Sequence, residues 1–459
     1  MATVEPTPTL RRRSSELGLL VLSLGLGGVA YALVGLTRSG HLPVTFYRDF
    51  SILVAITLIT HLVVRRKAAY ADPVILPVAV ALNGIGLAML YQLEPNTNVP
   101  GTDGMAIKQA LLTVVSMAIA CVVLLLLRDH RTLRRYTYVA LLATAILLIL
   151  PLLPGLGTEL NGARIWIHVG PLSFQPAELA KIAFAIFCAG YLVTNRDTLA
   201  LAGRKVWGLQ LPRIRDFGPL LIALGISLAV LVFQRDLGTS LLFLGIFVGM
   251  LYIATERFSW ILIGFMLFLV GAYGAYKSFS HVERRFDGWL HAFDDSVYNA
   301  AGGSAQLVDG LFGMANGGLL GSGWGRGYPH LTPYAFSDFI IAGLGEVLGL
   351  TGLFAILALY AILIQRGFRT AISTRDGFGK LLAGGLAFAL AWQCFVVIGG
   401  VTRVIPITGL TAPFLAYGGS SLLANWLIVA LLIRISDNAR RPHPLPLRGT
   451  AKSDAGVSA

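Results

Sequence analysis

The chain has 459 residues, of which 56% are hydrophobic and only 13% charged, and its mean hydropathy is +0.73. Soluble domains carry nearer a quarter charged residues, so the composition excludes a soluble globular enzyme and defines a polytopic membrane protein. The net charge of +13 is what arginines flanking membrane spans produce, and no nucleic-acid partner is expected from it.

Apolar runs of about 20 residues, the length that crosses a hydrocarbon layer, predict twelve transmembrane helices. They lie near 17–36, 47–64, 73–93, 106–127, 136–154, 173–194, 217–233, 237–254, 259–277, 338–365, 381–401 and 412–435. The first run is long enough to span and no small-residue cleavage site follows it, so it is expected to stay as a helix. Cys121, Cys188 and Cys394 all fall inside apolar runs, without metal-ligand spacing or a disulfide framework. Residues 1–16 read as an N-terminal tail, and the polar stretch 436–459 as a disordered C-terminal tail.

Basic residues gather in alternate linkers. Arg11 to Arg13, Arg65 to Lys67, Arg128 to Arg135, Arg196 to Arg215, Arg366 to Lys380 and the stretch after Arg434 hold most of the 36 Lys and Arg. The positive-inside rule places these linkers, and with an even span number both termini, in the cytoplasm. The unusual sequence then falls outside. It comprises Asn161-Gly-Ala-Arg-Ile-Trp166, Phe174-Gln-Pro-Ala-Glu-Leu-Ala-Lys181, Gln234-Arg-Asp-Leu-Gly-Thr239, a long mixed loop over 278–337, and Thr402 to Ser421.

Ionisable groups within spans are costly and mark function by default. Glu178 and Lys181 sit three apart on one helix face, as a structural ion pair or as ligand contacts. Asp338 and Glu346 lie about two turns apart on one face of the tenth span, with a helix-capping role open for Asp338. Arg164, Lys181, Arg235, Arg326 and Arg403, brought to one cavity, would make an anion site suited to phosphate; contacts to lipid headgroups remain the alternative for each. The glycine cluster Gly317 to Gly327 lacks the Lys-Ser/Thr ending and flanking strand of a phosphate loop and reads as a turn-rich segment. In the long loop, Phe293-Asp-Asp-Ser places two adjacent carboxylates that cannot share a helix face. A single base suffices for transfer from a sugar diphosphate, whose pyrophosphate leaves readily once cations hold it, whereas a hydrolase needs paired acids.

Asn161-Gly-Ala-Arg164 with Trp166, Phe174 to Lys181, Gln234 to Thr239, Ser337-Asp-Phe-Ile with Gly345-Glu346, and Thr408 to Pro413 with Tyr417-Gly-Gly-Ser420 together resemble the SEDS family (FtsW, RodA and SpoVE proteins), its elongation branch more than its division branch. The resemblance implies an all-α polytopic membrane protein with a ten-helix core over 71–435, preceded here by two extra helices over 17–70. It also implies a large structured extracytoplasmic loop between the ninth and tenth of the twelve helices. The implied activity is peptidoglycan glycosyl transfer, polymerising lipid II at the outer face for cell elongation and shape, with a class B penicillin-binding protein as transpeptidase partner. Asp295 is implied as catalytic base, Asp294 as its alternative. Arg164, Trp166, Gln175, Glu178, Lys181, Asp236, Asp338, Arg403 and Ser420 are implied as substrate-binding residues. No cofactor is required, with a divalent cation left open, and the setting is the cytoplasmic membrane. In this chain Ser296 follows Asp295, and the link to Gln306 is longer than the family's usual one. A lipid-linked precursor transporter and a non-catalytic scaffold for a transpeptidase are the alternative readings.

Overall fold

The computed structural model describes residues 13–94, 104–160, 163–170, 172–201, 203–206, 209–212 and 214–442. A peptide group has no water to pair with inside a hydrocarbon layer, so the apolar runs close their hydrogen bonds along the chain as helices. Helices α1 (Arg13–Ser39), α2 (Val44–Lys67), α3 (Ile75–Leu93), α4 (Met105–Leu126), α5 (Thr137–Ile149), α6 (Pro176–Leu201), α7 (Ile214–Phe233), α8 (Leu237–Thr255) and α9 (Ser259–Ser278) precede the long loop. The loop carries three short helices, α10 (Ser280–Leu290), α11 (Asp295–Tyr298) and α12 (Ala305–Gly317). Helices α13 (Ile340–Ser373), α14 (Gly377–Val401) and α15 (Gly419–Arg440) complete the chain. α3 is the most enclosed span, and α14 and α15 are also mostly buried, whereas α9 faces outward along most of its length.

Eleven helical segments among the described residues are long and apolar enough to cross a membrane. The expected seventh span, α7, has a described apolar stretch of Leu221–Val230. It is not among the eleven, and contacts fix its C-terminal end. Gln234, just past α7, donates its side-chain amide to the Leu148 carbonyl and its own carbonyl accepts from the Arg164 amide at 3.1 Å. The end of α7 therefore meets the same side of the bundle as the end of α5 and the start of α6. At the opposite side the arginine-rich linkers meet one another. His130 Nε2 lies 2.9 Å from Asp376 Oδ2, the Tyr70 amide donates to Asp437 at 2.9 Å, and Arg440 pairs with the fully buried Asp72.

Several boundaries move. The last helix begins at Gly419, not near 412, and runs through Arg440, so the tail expected from 436 starts as buried helix: Ser436 and Asp437 are fully enclosed. Likewise α1 begins at Arg13, inside the expected N-terminal tail; residues 1–12 and 443–459 lie outside the described residues. The helical class holds, with two small sheets added. Gly157–Leu160 (β1), Ala163–Val169 (β2) and Leu172–Phe174 (β3) form an antiparallel sheet before α6, and Gly203–Val206 (β4) pairs with Leu209–Pro212 (β5) after it. In β2 the alternation Arg-Ile-Trp-Ile-His puts Ile167 inward and leaves Arg164 and His168 exposed, a period-2 pattern that run-length reading passes over.

α13 is broken at Gly349, whose φ of 65° and ψ of −171° are open only to glycine. The break frees four backbone groups that a continuous helix would pair internally. The Glu346 and Val347 carbonyls accept from the Ser322 and Gly323 amides, both at 2.9 Å, and the Leu350 and Thr351 amides donate to Gly318 and Leu319 at 2.9 and 3.1 Å. The glycine cluster of the loop is thus a backbone insert in a helix break, and its glycines permit the close approach. A Cβ at 349 would collide with the Gly321 amide nitrogen. Gly349→Ala is expected to destabilise the protein by at least about 2 kcal/mol, from a disallowed conformation plus the clash. The exposed neighbour substitution Leu350→Ala should be near neutral, and thermal unfolding in detergent separates the two.

Candidate functional site

The segment 402–418 between α14 and α15 is not helical, so its peptide groups need partners from elsewhere. Tyr360 Oη donates to the Pro413 carbonyl at 2.6 Å, Gln109 Nε2 to Ala416 at 3.1 Å, Gln393 Nε2 to Thr411 at 3.0 Å, and the Tyr417 amide to Phe336 at 2.8 Å. Held this way, Ile407, Thr408, Gly409 and Leu410 form one wall of a small cleft whose other wall includes Asp338 and Phe339.

A chain of polar side chains leads through the bundle to this cleft. Deepest is α6, where the Lys181 ammonium lies 2.5 Å from Glu178 Oε2 and 2.7 Å from Gln393 Oε1, with both charged groups buried. Asp236 comes next. It caps α8 by accepting from the Thr239 amide at 2.9 Å and from the Thr239 hydroxyl at 2.5 Å. Burial pushes its carboxyl above the usual range, Arg285 opposes that, and Glu178 adds to it. Arg285, from α10 of the long loop, is within electrostatic reach of Asp236 and Asp338 without a direct ion pair to either; burial lowers its affinity for its proton while the two carboxylates hold the proton on. Its Nη1 also donates to the Ile407 and Thr408 carbonyls at 3.3 and 3.4 Å. Asp338 ends the chain in the cleft, accepting from Gln306 Nε2 at 3.4 Å. Burial raises its carboxyl from 3.8 to about 6, against the pull of Gln306 and Arg285. Asp338 does not cap α13 with its side chain.

Three further cations surround this chain. His281 is held below its usual pKa by burial and by Arg285, Arg235 and Arg284, which places three guanidinium groups around one imidazole. Arg235 and Arg284 are exposed. Arg164 is exposed on β2, and its backbone bond to Gln234 sets it next to Arg235. Trp166 is half-buried on the same strand face, opposite Thr158. Asn161 lies outside the described residues. The Gln175 amide donates to Ser420 Oγ at 2.8 Å, which joins the start of α6 to the start of α15.

Of the residues singled out from sequence, Glu178, Lys181, Asp236 and Asp338 fall along this one chain, and Gln175 and Ser420 fix its frame. Arg403 has a different setting. Its guanidinium donates to the Trp289 and Leu290 carbonyls, each at 2.9 Å, Trp289 Nε1 returns a bond to the Arg403 carbonyl at 3.1 Å, and the cation sits 5.1 Å from the Phe293 ring centroid. Arg403 therefore clamps the end of α10. Arg326 bonds Gln92 through its carbonyl at 2.9 Å and is not among these cations. Glu346 accepts from Asn316 at 3.2 Å and from the Tyr328 amide at 2.7 Å, so it anchors the glycine segment.

Asp295 opens α11 with its carboxylate exposed and without a hydrogen-bond or ion-pair partner among the described residues; Asp294, also exposed, lies 3.5 Å from His291 Nδ1. Sequence reading gave neither Arg285 nor Gln393 a role in the site, which comes from groups that lie far from them in the chain. Among the described residues no group of three or more His, Cys, Asp or Glu is placed to hold a metal ion.

Crossing helices, a loop folded onto one face and a buried polar chain opening there define a multi-pass membrane protein whose chemistry is at a single face. The chain belongs to the FtsW/RodA/SpoVE family of cell cycle proteins, which it matches over residues 73–441. It is 47% identical over 449 residues to the peptidoglycan glycosyltransferase RodA of Mycobacterium tuberculosis H37Rv, covering 96% of this chain and 94% of that one. With the Mycobacterium leprae RodA it shares 45% over 461 residues, covering 100% and 97%. The crystal structure of Thermus thermophilus RodA shares the fold, with a TM-score of 0.58 at 23% identity over 81% of this chain and 98% of that one.

Two measurements test this placement. Lys181→Ala strands a buried carboxylate and should cost about 3 kcal/mol, whereas Glu178→Gln with Lys181→Met together should cost far less, read by thermal unfolding of the purified protein. For Asp338, a raised folded pKa means stability is present at low pH and is lost as pH rises through about 6. The loss begins near the ordinary value of 3.8 and is complete above about 6, so Asp338→Asn should raise the unfolding midpoint at about pH 7 and leave it unchanged at about pH 3.

Proposed function

We propose that the outer cleft and the exposed edge of the long loop polymerise lipid II. The chain is a peptidoglycan glycosyltransferase serving cell shape. The growing glycan, still on its lipid pyrophosphate, is the donor, and the 4-hydroxyl of an incoming lipid II is the acceptor. Asp295 takes the proton of that hydroxyl as its oxygen bonds to the anomeric carbon and the lipid pyrophosphate departs, which inverts the anomeric centre. The proton then passes from Asp295 to water. Arg164, Arg235 and Arg284 are free to meet the two phosphates, in a setting where arginine's planar fork matches phosphate oxygens. Lys181 and Arg403 support the site from behind, through the Glu178–Gln393 contacts and the clamp on α10.

The observation that carries this reading is the difference between the two loop carboxylates. Among the described residues the Asp295 carboxylate has no partner and is open to an acceptor, whereas Asp294 faces His291. Asp338, which lines the cleft with its carboxyl raised to about 6 by burial, suits a group that hydrogen-bonds an acceptor hydroxyl at the cleft mouth. The termini and basic linkers lie in the cytoplasm and the cleft opens to the other side, where lipid-linked sugars are presented. A class B penicillin-binding protein supplies crosslinking; a solved peptidoglycan synthase complex of similar fold, TM-score 0.55 at 23% identity over 86% of this chain and 98% of that one, is described as coordinating polymerisation and crosslinking. No cofactor enters the scheme, and a chelator added to the same assay reads any divalent-cation requirement.

Purified full-length protein given lipid II should make glycan polymer, and Asp295→Ala should lose at least about 100-fold in rate, the scale of a general base. Asp294→Ala should stay within a few-fold of the parent. Full activity of Asp295→Ala would remove it as the base, and lipid II flipping without polymer would favour transport instead.

A further inference from the structure

Helices α1 and α2 precede the family-matched region, which starts at residue 73, and they are packed into the bundle. Gly27 meets Gly84 of α3 so closely that a Cβ at 27 would lie 2.8 Å from the Gly84 Cα. Tyr31 stacks on Tyr91 with ring centroids 4.2 Å apart and donates to Asp49 of α2 at 2.9 Å. Arg38 donates to the Tyr91 and Gln92 carbonyls, which ties the outer ends of α1 and α3 together. On these ends lies the glycine segment of the long loop. Trp324 packs in the cluster of Ala30, Tyr31, Phe46, Ala88 and Tyr91. The buried Gln92 side chain grips the loop backbone immediately after that contact, donating to the Arg326 carbonyl at 2.9 Å and accepting from the Gly325 amide at 3.2 Å. Gly325 sits directly on α1, where a Cβ would fall 2.7 Å from Thr37 Cβ.

The gripped segment continues from α12, and α12 carries the two bonds that reach the site. Gln306 at its start donates to Asp338, and Asp309 accepts from Tyr298 Oη of α11 at 3.0 Å, the short helix that Asp295 opens. We propose that the two N-terminal helices, with the outer end of α3, are a brace that sets the position of Asp295, and that Trp324 and Gln92 are its positioning residues. The brace acts through the loop and touches no substrate. This inference rests on the reading of Asp295 as the base.

The test uses full-length protein in nanodiscs with lipid II as substrate, and compares the parent, Gln92→Ala, Trp324→Ala and Trp324→Phe. Amide hydrogen exchange is followed over 295–331 and in α14 as an internal control, beside kcat and KM. Removing the two Gln92 bonds should raise exchange at Gly325 and along α11–α12 about tenfold, with α14 unchanged. The same variants should lower kcat about tenfold with little change in KM, because a displaced base acts on the transition state alone. Trp324→Phe should restore both, since a ring still fills the cluster. Parent-like loop exchange in both alanine variants overturns the brace, and so does parent-like kcat in a variant whose loop has loosened. If the parent protein fails to polymerise lipid II, the functional reading falls, and the exchange measurements still decide whether these helices hold the loop.

Discussion

A backbone amide or carbonyl left unpaired in the low-dielectric interior costs several kcal/mol, and the architecture follows from how this chain meets that demand. Along most of its length the answer is local, a helix that pairs its own groups. Where the helix is given up, a second segment supplies partners group for group. The break at Gly349 takes two amides from the glycine segment and returns two to its carbonyls. The unwound stretch 402–418 is satisfied by Tyr360, Gln109 and Gln393 from three different helices. The unwound stretch walls the cleft together with Val397, Gly400 and Val401 of α14.

The same low dielectric governs the charges. Lys181 and Glu178 are tolerable at depth because they hold each other and because Gln393 takes up a remaining donor position. Arg285 brings a cation from the loop to two carboxylates that would otherwise be buried together. That placement docks the loop as well: α10 is held at its middle by Arg285 and clamped at its end by Arg403. The edge of the loop that carries Asp295 is thereby left exposed on a fixed support.

Much of this was legible from residue order. Span positions followed run length, the two faces followed arginine distribution, and the family motifs marked Glu178, Lys181, Asp236, Asp338, Gln175 and Ser420. The illegible parts share a cause. The sheet around Arg164 and Trp166 showed only a seven-residue alternation beside far longer apolar runs. Arg403 had the same outward appearance in sequence as Arg164, because a guanidinium bonded to a neighbouring carbonyl and one facing solvent have the same local context.

The amino-acid sequence by itself therefore determined that the chain crosses a membrane, which linkers share a face, where the loop lies and which family chemistry it carries. These depend on hydropathy and charge summed along contiguous residues. Only the tertiary structure decided that the Arg285 cation acts on both Asp236 and Asp338, that among the described residues the Asp295 carboxylate has no partner while Asp294 lies near His291, and that Trp324 of the loop is seated on the first helix. The first and last of those depend on which groups meet across tens to hundreds of residues, and a buried polar atom takes its partner from whatever the packing brings within about 3 Å.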